Sequence, residues 1–325
     1  MLSMAILHVL NGDAARQVLD RTEVPGERLV WADLLHEGPV PAELGTAEVR
    51  RIRAEYLFAA GYGNREVLTE KLLVQDNGLG RWYDFDEVVF WLEHDVYDQL
   101  LLLRHLAWLS QHGSAQARSR AIVVDRYLGR SMPDELAAMF DTRTPISDPV
   151  IETGWKAWRA ITADDPAGVT ALVEAGPSAD LPFLHGALAR WLEDYPSVEN
   201  GLSRSERQLL TAIEDGQNTL EKCFSATQAM EEREFLGDVP FLTIARKLAE
   251  VQKPLITLVS MGGGGLLRWR TALTRFGRDV MAGEADYVHA NGLDRWVGGV
   301  YLSGFGPSWR WNGTKVLWSD WKGTA

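Results

Sequence analysis

The chain has 325 residues, 46% of them hydrophobic and 13 of them Trp, which supplies ample core material and excludes intrinsic disorder. That length exceeds one ordinary hydrophobic core and predicts more than one domain. The net charge of -12 is uneven: residues 1–200 carry 18 basic and 31 acidic side chains and residues 201–325 carry 15 and 14, which argues against non-specific nucleic-acid binding yet leaves the second part free to present a local basic face.

Residues 5–10 form an apolar run, Asn11-Gly12-Asp13 a turn, and residues 14–19 have helical spacing. The pattern returns at 28–32, 87–92 and 121–125, with helical stretches at 46–60, 65–74, 96–111 and 133–140. Near-continuous apolar strands alternating with helices predict a Rossmann-like parallel α/β domain over residues 1–145.

Two of these strands run into polar clusters. One is Asp33-Leu34-Leu35-His36-Glu37-Gly38-Pro39, the other Glu93-His94-Asp95-Val96-Tyr97-Asp98-Gln99. In open parallel sheets ligands bind beyond the carboxyl ends of the strands, so the two clusters predict one acidic, histidine-bearing crevice. His36, Glu37, Glu93 and His94 are the catalytic candidates, as imidazole and carboxylate pairs for proton transfer. Asn11, Asp13, Asp33, Asp98 and Gln99 are candidates for ligand contact, with His8 and Asp125 as outlying members. If strand geometry persists, Glu93 and Asp95 share a face opposite His94 and suit a divalent metal, the one cofactor these residue types suggest. The competing reading is structural: Asp13 and Asp95 cap helices, Asp95-Val96-Tyr97-Asp98 having capping-box spacing, and the rest is a satisfied buried network. Carboxylates at helix starts occupy the donors a phosphate would use, and Asn11-Gly12-Asp13 lacks spaced glycines, so no pyrophosphate cradle is expected. Gly38-Pro39-Val40-Pro41 stiffens the exit from the first cluster.

Helical stretches at 149–161, 166–174 and 181–193 predict a connector over residues 146–200. Residues 201–325 change grammar, with helices at 203–213, 219–232 and 238–250, a strand at 254–260, glycines 262–265, a returning strand from 266 and a helix at 274–282. No Gly-Lys-Ser/Thr follows the glycines, which therefore read as a hairpin tip. Residues 296–302 and 308–318 are strand-like, the latter folded at Asn312-Gly313, a type I′ signal. Three helices followed by a hairpin predict a winged-helix-like α+β domain. Arg204, Arg207, Arg246 and Lys247 are the cations there that would meet phosphates. Trp296, Trp309, Trp311 and Trp318, interleaved with Arg295, Arg310 and Lys315, read as cross-strand pairs or as a stacking platform for single strands. His105, His112, His185 and His289 lack companions and read as structural, and the single Cys223 as a buried thiol. One cysteine excludes an intrachain disulfide. With no basic n-region and no run of about 18 apolar residues, the expectation is a cytoplasmic protein without a membrane partner.

At Leu7-His8-Val9-Leu10-Asn11-Gly12-Asp13, at residues 31–40 and at residues 93–100 the chain resembles the bacterial family called domain of unknown function 1835, over about its first 130 residues. Gly283-Glu284-Ala285-Asp286 and Asp294-Arg295-Trp296-Val297-Gly298-Gly299 resemble a tail often attached to it. The resemblance implies that the two polar clusters are signature blocks and implies no reaction. Three functions stay open: a crevice binding a small polar or cationic ligand, with metal-assisted hydrolysis or group transfer; a ligand-sensing transcription regulator reading DNA with its C-terminal domain; and an interaction scaffold without catalysis.

Overall fold

The computed structural model describes residues 4–263 and 265–323. From β1 (Ile6–Leu10) the chain passes through α1 (Asp13–Leu19) to β2 (Glu27–Val30), then through α2 (Ala47–Ala59) and α3 (Arg65–Gly80) to β3 (Glu87–Leu92). The helices α4 (Val96–Ser110) and α5 (Gly113–Gln116) lead to β4 (Ser119–Val123), and α6 (Pro133–Phe140) to the short β5 (Thr144–Pro145). The strands form one sheet in the order β2-β1-β3-β4-β5, parallel except for β5.

Every residue of β1 and β3 is buried, as their largely apolar sequence, broken only by His8 and Glu87, requires when helices cover both faces of a sheet. Ile6, Leu10, Val89, Trp91 and Ile122 pack with α1 and α6. Leu7, Val9, Val88, Phe90 and Leu92 point the other way, into the core that contains α4. That helix is apolar nearly all round and is buried nearly all round, because α7 (Asp148–Ile161) and α9 (Leu184–Leu192) cover its outer side, with α8 (Ala167–Glu174) between them. The expected connector is thus a third layer on the sheet domain.

Next come α10 (Arg204–Glu214), α11 (Leu220–Gln228) and α12 (Asp238–Glu250), followed by the antiparallel hairpin of β6 (Ile256–Ser260) and β7 (Trp269–Leu273). Thr219 bridges to Arg270, so the segment before α11 joins that hairpin. After α13 (Arg275–Met281) and α14 (Tyr287–Asn291), β8 (Leu293–Val297) pairs with β9 (Val300–Gly304), and β10 (Ser308–Trp311) with β11 (Val316–Ser319). One apolar cluster runs from Leu7 to Val316, so all three expected parts share a core.

Several sequence expectations need correction. Residues 296–302 are not one strand but parts of β8 and β9 around a turn at Gly298-Gly299, and Trp296 therefore belongs to a different hairpin from Trp309 and Trp318. The aromatic residues pair across strands, Trp296 with Tyr301 at 4.8 Å and Trp309 with Trp318 at 5.6 Å between ring centroids. A type I′ turn would need positive φ at Asn312, yet no described non-glycine residue has one. Instead Asn312 Oδ1 accepts the Thr314 and Lys315 N–H groups at 3.0 and 2.9 Å, beside one backbone bond from Asn312 N–H to Lys315 O at 3.1 Å. The returning strand after the glycines begins only at Trp269, and Gly264 of the expected tip lies outside the described residues. His289 is not alone: its Nε2 lies 2.6 Å from Asp320. Among the described residues no helix is long and apolar enough to cross a membrane.

Candidate functional site

β1 and β3 are neighbours, but the chain leaves them toward opposite faces, through α1 and through α4. Such a reversal opens a crevice at the carboxyl ends of the two strands. Asn11 follows β1, and Glu93, Asp95 and Asp98 follow β3, so the topology brings these four together. The Asn11 amide donates to both carboxylate oxygens of Asp98, at 2.9 and 3.0 Å. Asp95 caps α4 by accepting the Asp98 N–H at 3.2 Å. The reciprocal half of the expected capping box is absent, because Asp98 instead accepts the Glu93 N–H at 2.9 Å. Glu93 accepts the Leu128 N–H at 2.8 Å, and Gln99 Nε2 donates to the Glu93 carbonyl at 2.6 Å.

Glu93, Asp95 and Asp98 each offer an oxygen, and these oxygens all lie within 4.8 Å of one another. The three side chains are only 6%, 3% and 1% exposed, and among the described residues none makes an ion pair. Burial pushes the Asp95 carboxyl up to about 7, helped by the charge of Glu93, and it also raises Glu93 and, most strongly, Asp98. Three buried like charges this close oppose full ionisation, and either a shared proton or a bound divalent cation relieves the repulsion.

The first polar cluster takes another path. Asp33 forms a buried pair with Arg53 of α2, at 2.7 Å to Nη2 and 3.0 Å to Nε. Arg53 also donates to the carbonyls of Leu34, Glu37 and Pro39, so one guanidinium shapes the loop from 33 to 39. Gly38, at φ +75°, lets Tyr56 pack so close that a Cβ would sit 2.3 Å from its ring. The Tyr56 hydroxyl donates to Glu37 at 3.1 Å, and Tyr62 donates to the other oxygen of Glu37. Beyond the loop, Val40 N–H donates to Gly298 O at 3.0 Å, while the Trp158 and Trp191 indoles donate to Ala42 O and His36 O at 3.2 and 3.4 Å.

No protein-family model and no curated protein matches this chain. The site is therefore defined by its geometry alone.

Tyr97 stands between the two clusters. Its hydroxyl donates to Asn11 O at 2.9 Å, and its ring meets His36 edge-on at 6.1 Å. On one side lie Asn11, Glu93, Asp95, Asp98 and Gln99. On the other, His36 and Glu37 help line a cavity of about 490 Å³ whose walls do not include the three clustered acids. The expected single crevice is thus divided into two adjacent groups of side chains, with Tyr97 between them. His94 belongs to neither: its ring packs against Tyr127 and Phe183, and its carbonyl accepts from Arg233 at 3.0 Å. Burial holds both His36 and His94 below the usual histidine range, which leaves them neutral near pH 7.

Three other expectations end elsewhere. Asp13 is exposed in the first turn of α1, where Gly12 rather than Asp13 occupies the cap position. Asp125 is exposed, and His8 is fully buried inside the sheet domain, bonded to the Trp91 indole and Pro25 O. Arg53, Tyr56 and Tyr97 were missed as organising residues. Tyr97 lies inside the polar cluster at residues 93–99, but nothing in the spacing of Arg53 marks it as the partner of Asp33, 20 residues away.

Proposed function

We propose that the acidic crevice of the α/β domain between β1 and β3 binds a small polar or cationic ligand, and that Glu93, Asp95 and Asp98 there hold a divalent cation when the ligand is a neutral or anionic polar one, with metal-assisted hydrolysis or group transfer as the chemistry. The observation that carries this reading is the unpaired trio of carboxylates with oxygens within 4.8 Å of one another. Oxygen donors of this kind suit hard cations such as Mg²⁺, Mn²⁺ or Ca²⁺. Asn11 positions Asp98, and Leu128 positions Glu93, through the hydrogen bonds described above. The family resemblance at residues 7–13, 31–40 and 93–100 remains part of the proposal, since it marks these segments without naming a reaction. The test is calorimetric titration of Mg²⁺, Mn²⁺ and Ca²⁺ into the wild type and into Asp95→Asn, which retains a capping side chain. Saturable binding of one ion, weakened at least tenfold by the substitution, is expected. No binding of any of the three ions by the folded wild type overturns the reading.

A second reading, DNA binding by a winged-helix-like C-terminal part, is favoured by its charge. Between Arg246 and Arg278 seven Lys or Arg residues face a single acid, Glu250; all seven are exposed, and none makes an ion pair among the described residues. They lie on the end of α12, the β6–β7 hairpin with its flanks, and α13, with Arg246 over the Trp269 ring at 5.8 Å. The beginning of α12 is not free in the same way, because Pro240 to Thr243 are buried and the Thr243 hydroxyl donates to Ala60 O at 3.3 Å. A basic face confined to α12 is therefore not the basis of this reading. Arg204 and Arg207 are likewise engaged, with Glu193 and Glu199. Anisotropy of a labelled duplex should show salt-dependent binding that Arg268→Glu with Arg270→Glu removes. Equal binding by the double variant and the wild type would reject it.

A further inference from the structure

The cavity of about 490 Å³ lies where the beginning and the end of the chain meet. His36, Glu37 and Tyr56 come from the sheet domain, and Glu206, Arg295 and Trp296 face them from the C-terminal part. A volume of this size matches a small-molecule pocket. Its walls also join two of the blocks that stood out in the sequence, residues 31–40 and 294–299, which the metal reading does not use.

The charges within the walls are not equally satisfied. Arg295 is paired with Glu206 at 3.2 Å, and Asp194 with Arg190 at 3.2 Å. Glu37 is different. Its carboxylate is held by the hydroxyls of Tyr56 and Tyr62, two neutral donors, and it forms no ion pair among the described residues. Two phenols fix the direction of a carboxylate without neutralising it, so the fixed negative charge still favours a cation. Beside it, His36 is 7% exposed, and both of its ring nitrogens lack any hydrogen-bond partner. Buried polar atoms normally have partners, so this wall holds an unmet donor and an unmet acceptor next to an acid that makes no ion pair. Across the cavity stand Trp296 and Phe305, the latter 67% exposed at the rim, which offer flat apolar surface.

We propose that this cavity binds a small organic cation, an ammonium or guanidinium group seated against Glu37 with an apolar or aromatic body lying along Trp296 and Phe305. A polar group on that body would meet the His36 ring. The ligand would touch both halves of the chain, and the clamp around it is built to hold still: Val40 bonds Gly298, Trp191 bonds His36 O, and Gly299 N–H donates to Ile161 O at 2.9 Å. This site is separate from the carboxylate trio, with Tyr97 between them, and does not depend on a metal.

The probe is 2-phenylethylamine, with phenylacetate as the anion of similar size, each titrated into the full chain by calorimetry. The amine is expected to bind saturably and at least tenfold more tightly than the acid. Glu37→Gln keeps an oxygen acceptor for one tyrosine and turns an amide N–H toward the hydroxyl oxygen of the other while removing the charge, and should weaken the amine at least tenfold. Phe305→Ala, at the exposed rim, should weaken it less and leave the near-ultraviolet circular dichroism unchanged. Asp95→Asn should bind the amine as the wild type does, which separates this inference from the metal reading. Equal binding of amine and acid, no binding of the amine to the folded wild type, or undiminished binding by a folded Glu37→Gln protein overturns the proposal.

Discussion

Asn11 donates its side-chain amide to both carboxylate oxygens of Asp98, at 2.9 and 3.0 Å, and so ties the ends of β1 and β3 across the point where the chain reverses direction. The two residues are 87 positions apart. Because Asp98 is 1% exposed, these bonds have no ready replacement in water. Asn11→Ala should lower stability by about 1–3 kcal/mol, the cost of leaving a buried acceptor without its donor. Urea unfolding checks it, and an unchanged midpoint would show that Asp98 finds its partners elsewhere.

The pair Arg53–Asp33 offers a sharper case. Both side chains are almost completely buried, 2% and 5% exposed, and the guanidinium also serves three carbonyls of the loop it organises. Removing one member leaves the other charged and buried, so Arg53→Met should cost about 3–5 kcal/mol. Hydrogen exchange should accelerate first in residues 33–42. Adding Asp33→Asn to the Arg53→Met variant should recover part of the loss, because no lone charge then remains.

Gly298 sits at φ +62°, and a Cβ there would lie 2.2 Å from Ile161 O and 2.7 Å from the Trp191 ring. A Cβ on Gly299 would lie 2.2 Å from Thr162 O. Since both obstacles include backbone, the hairpin tip would have to withdraw. Gly298→Ala is expected to destabilise by more than about 2 kcal/mol, while Gly313→Ala, with open space around its Cβ, should cost less. Thermal unfolding of the two variants side by side measures the contrast.

Acid sensitivity follows from His8. Burial depresses its pKa to about 4 from 6.5. Its Nδ1 accepts from the Trp91 indole at 3.0 Å, and its Nε2–H donates to Pro25 O at 2.9 Å, an arrangement that only the neutral ring can make. The unfolded chain therefore binds a proton below pH 6.5 that the folded chain refuses until about pH 4. Stability is complete above 6.5 and falls as pH drops through this window, by about 3 kcal/mol from this residue. His105, which burial also pushes down, adds in the same direction. Unfolding midpoints at pH 7, 5.5 and 4.5 should show a steeper decline for the wild type than for His8→Gln.

The elements were legible where local pattern dictates them. The largely apolar runs of β1 and β3, the long apolar stretch of α4 and the Asp95 cap all follow from the side chains of a few adjacent residues. The outer edge was harder: the predicted strand at 28–32 ends at Val30, because its one partner, β1, ends at Leu10, whose carbonyl takes the last bond, from Trp31 N–H at 2.9 Å. The Gly298-Gly299 turn was invisible because its tightness comes from Ile161 and Trp191, far away in sequence.

The sequence by itself determined the alternation of strands and helices, the burial of β1 and β3 though not of β2, the polar groups that follow β1, β2 and β3, and the excess of acid in the first 200 residues. Only the tertiary structure decided that Asp33 spends its charge on Arg53, that His8 is walled into the sheet domain, and that Tyr97 parts the clustered acids from Glu37. The reason is range: backbone periodicity and capping act over a few residues, whereas the partner of a buried charge is chosen by packing that brings together groups from distant parts of the chain.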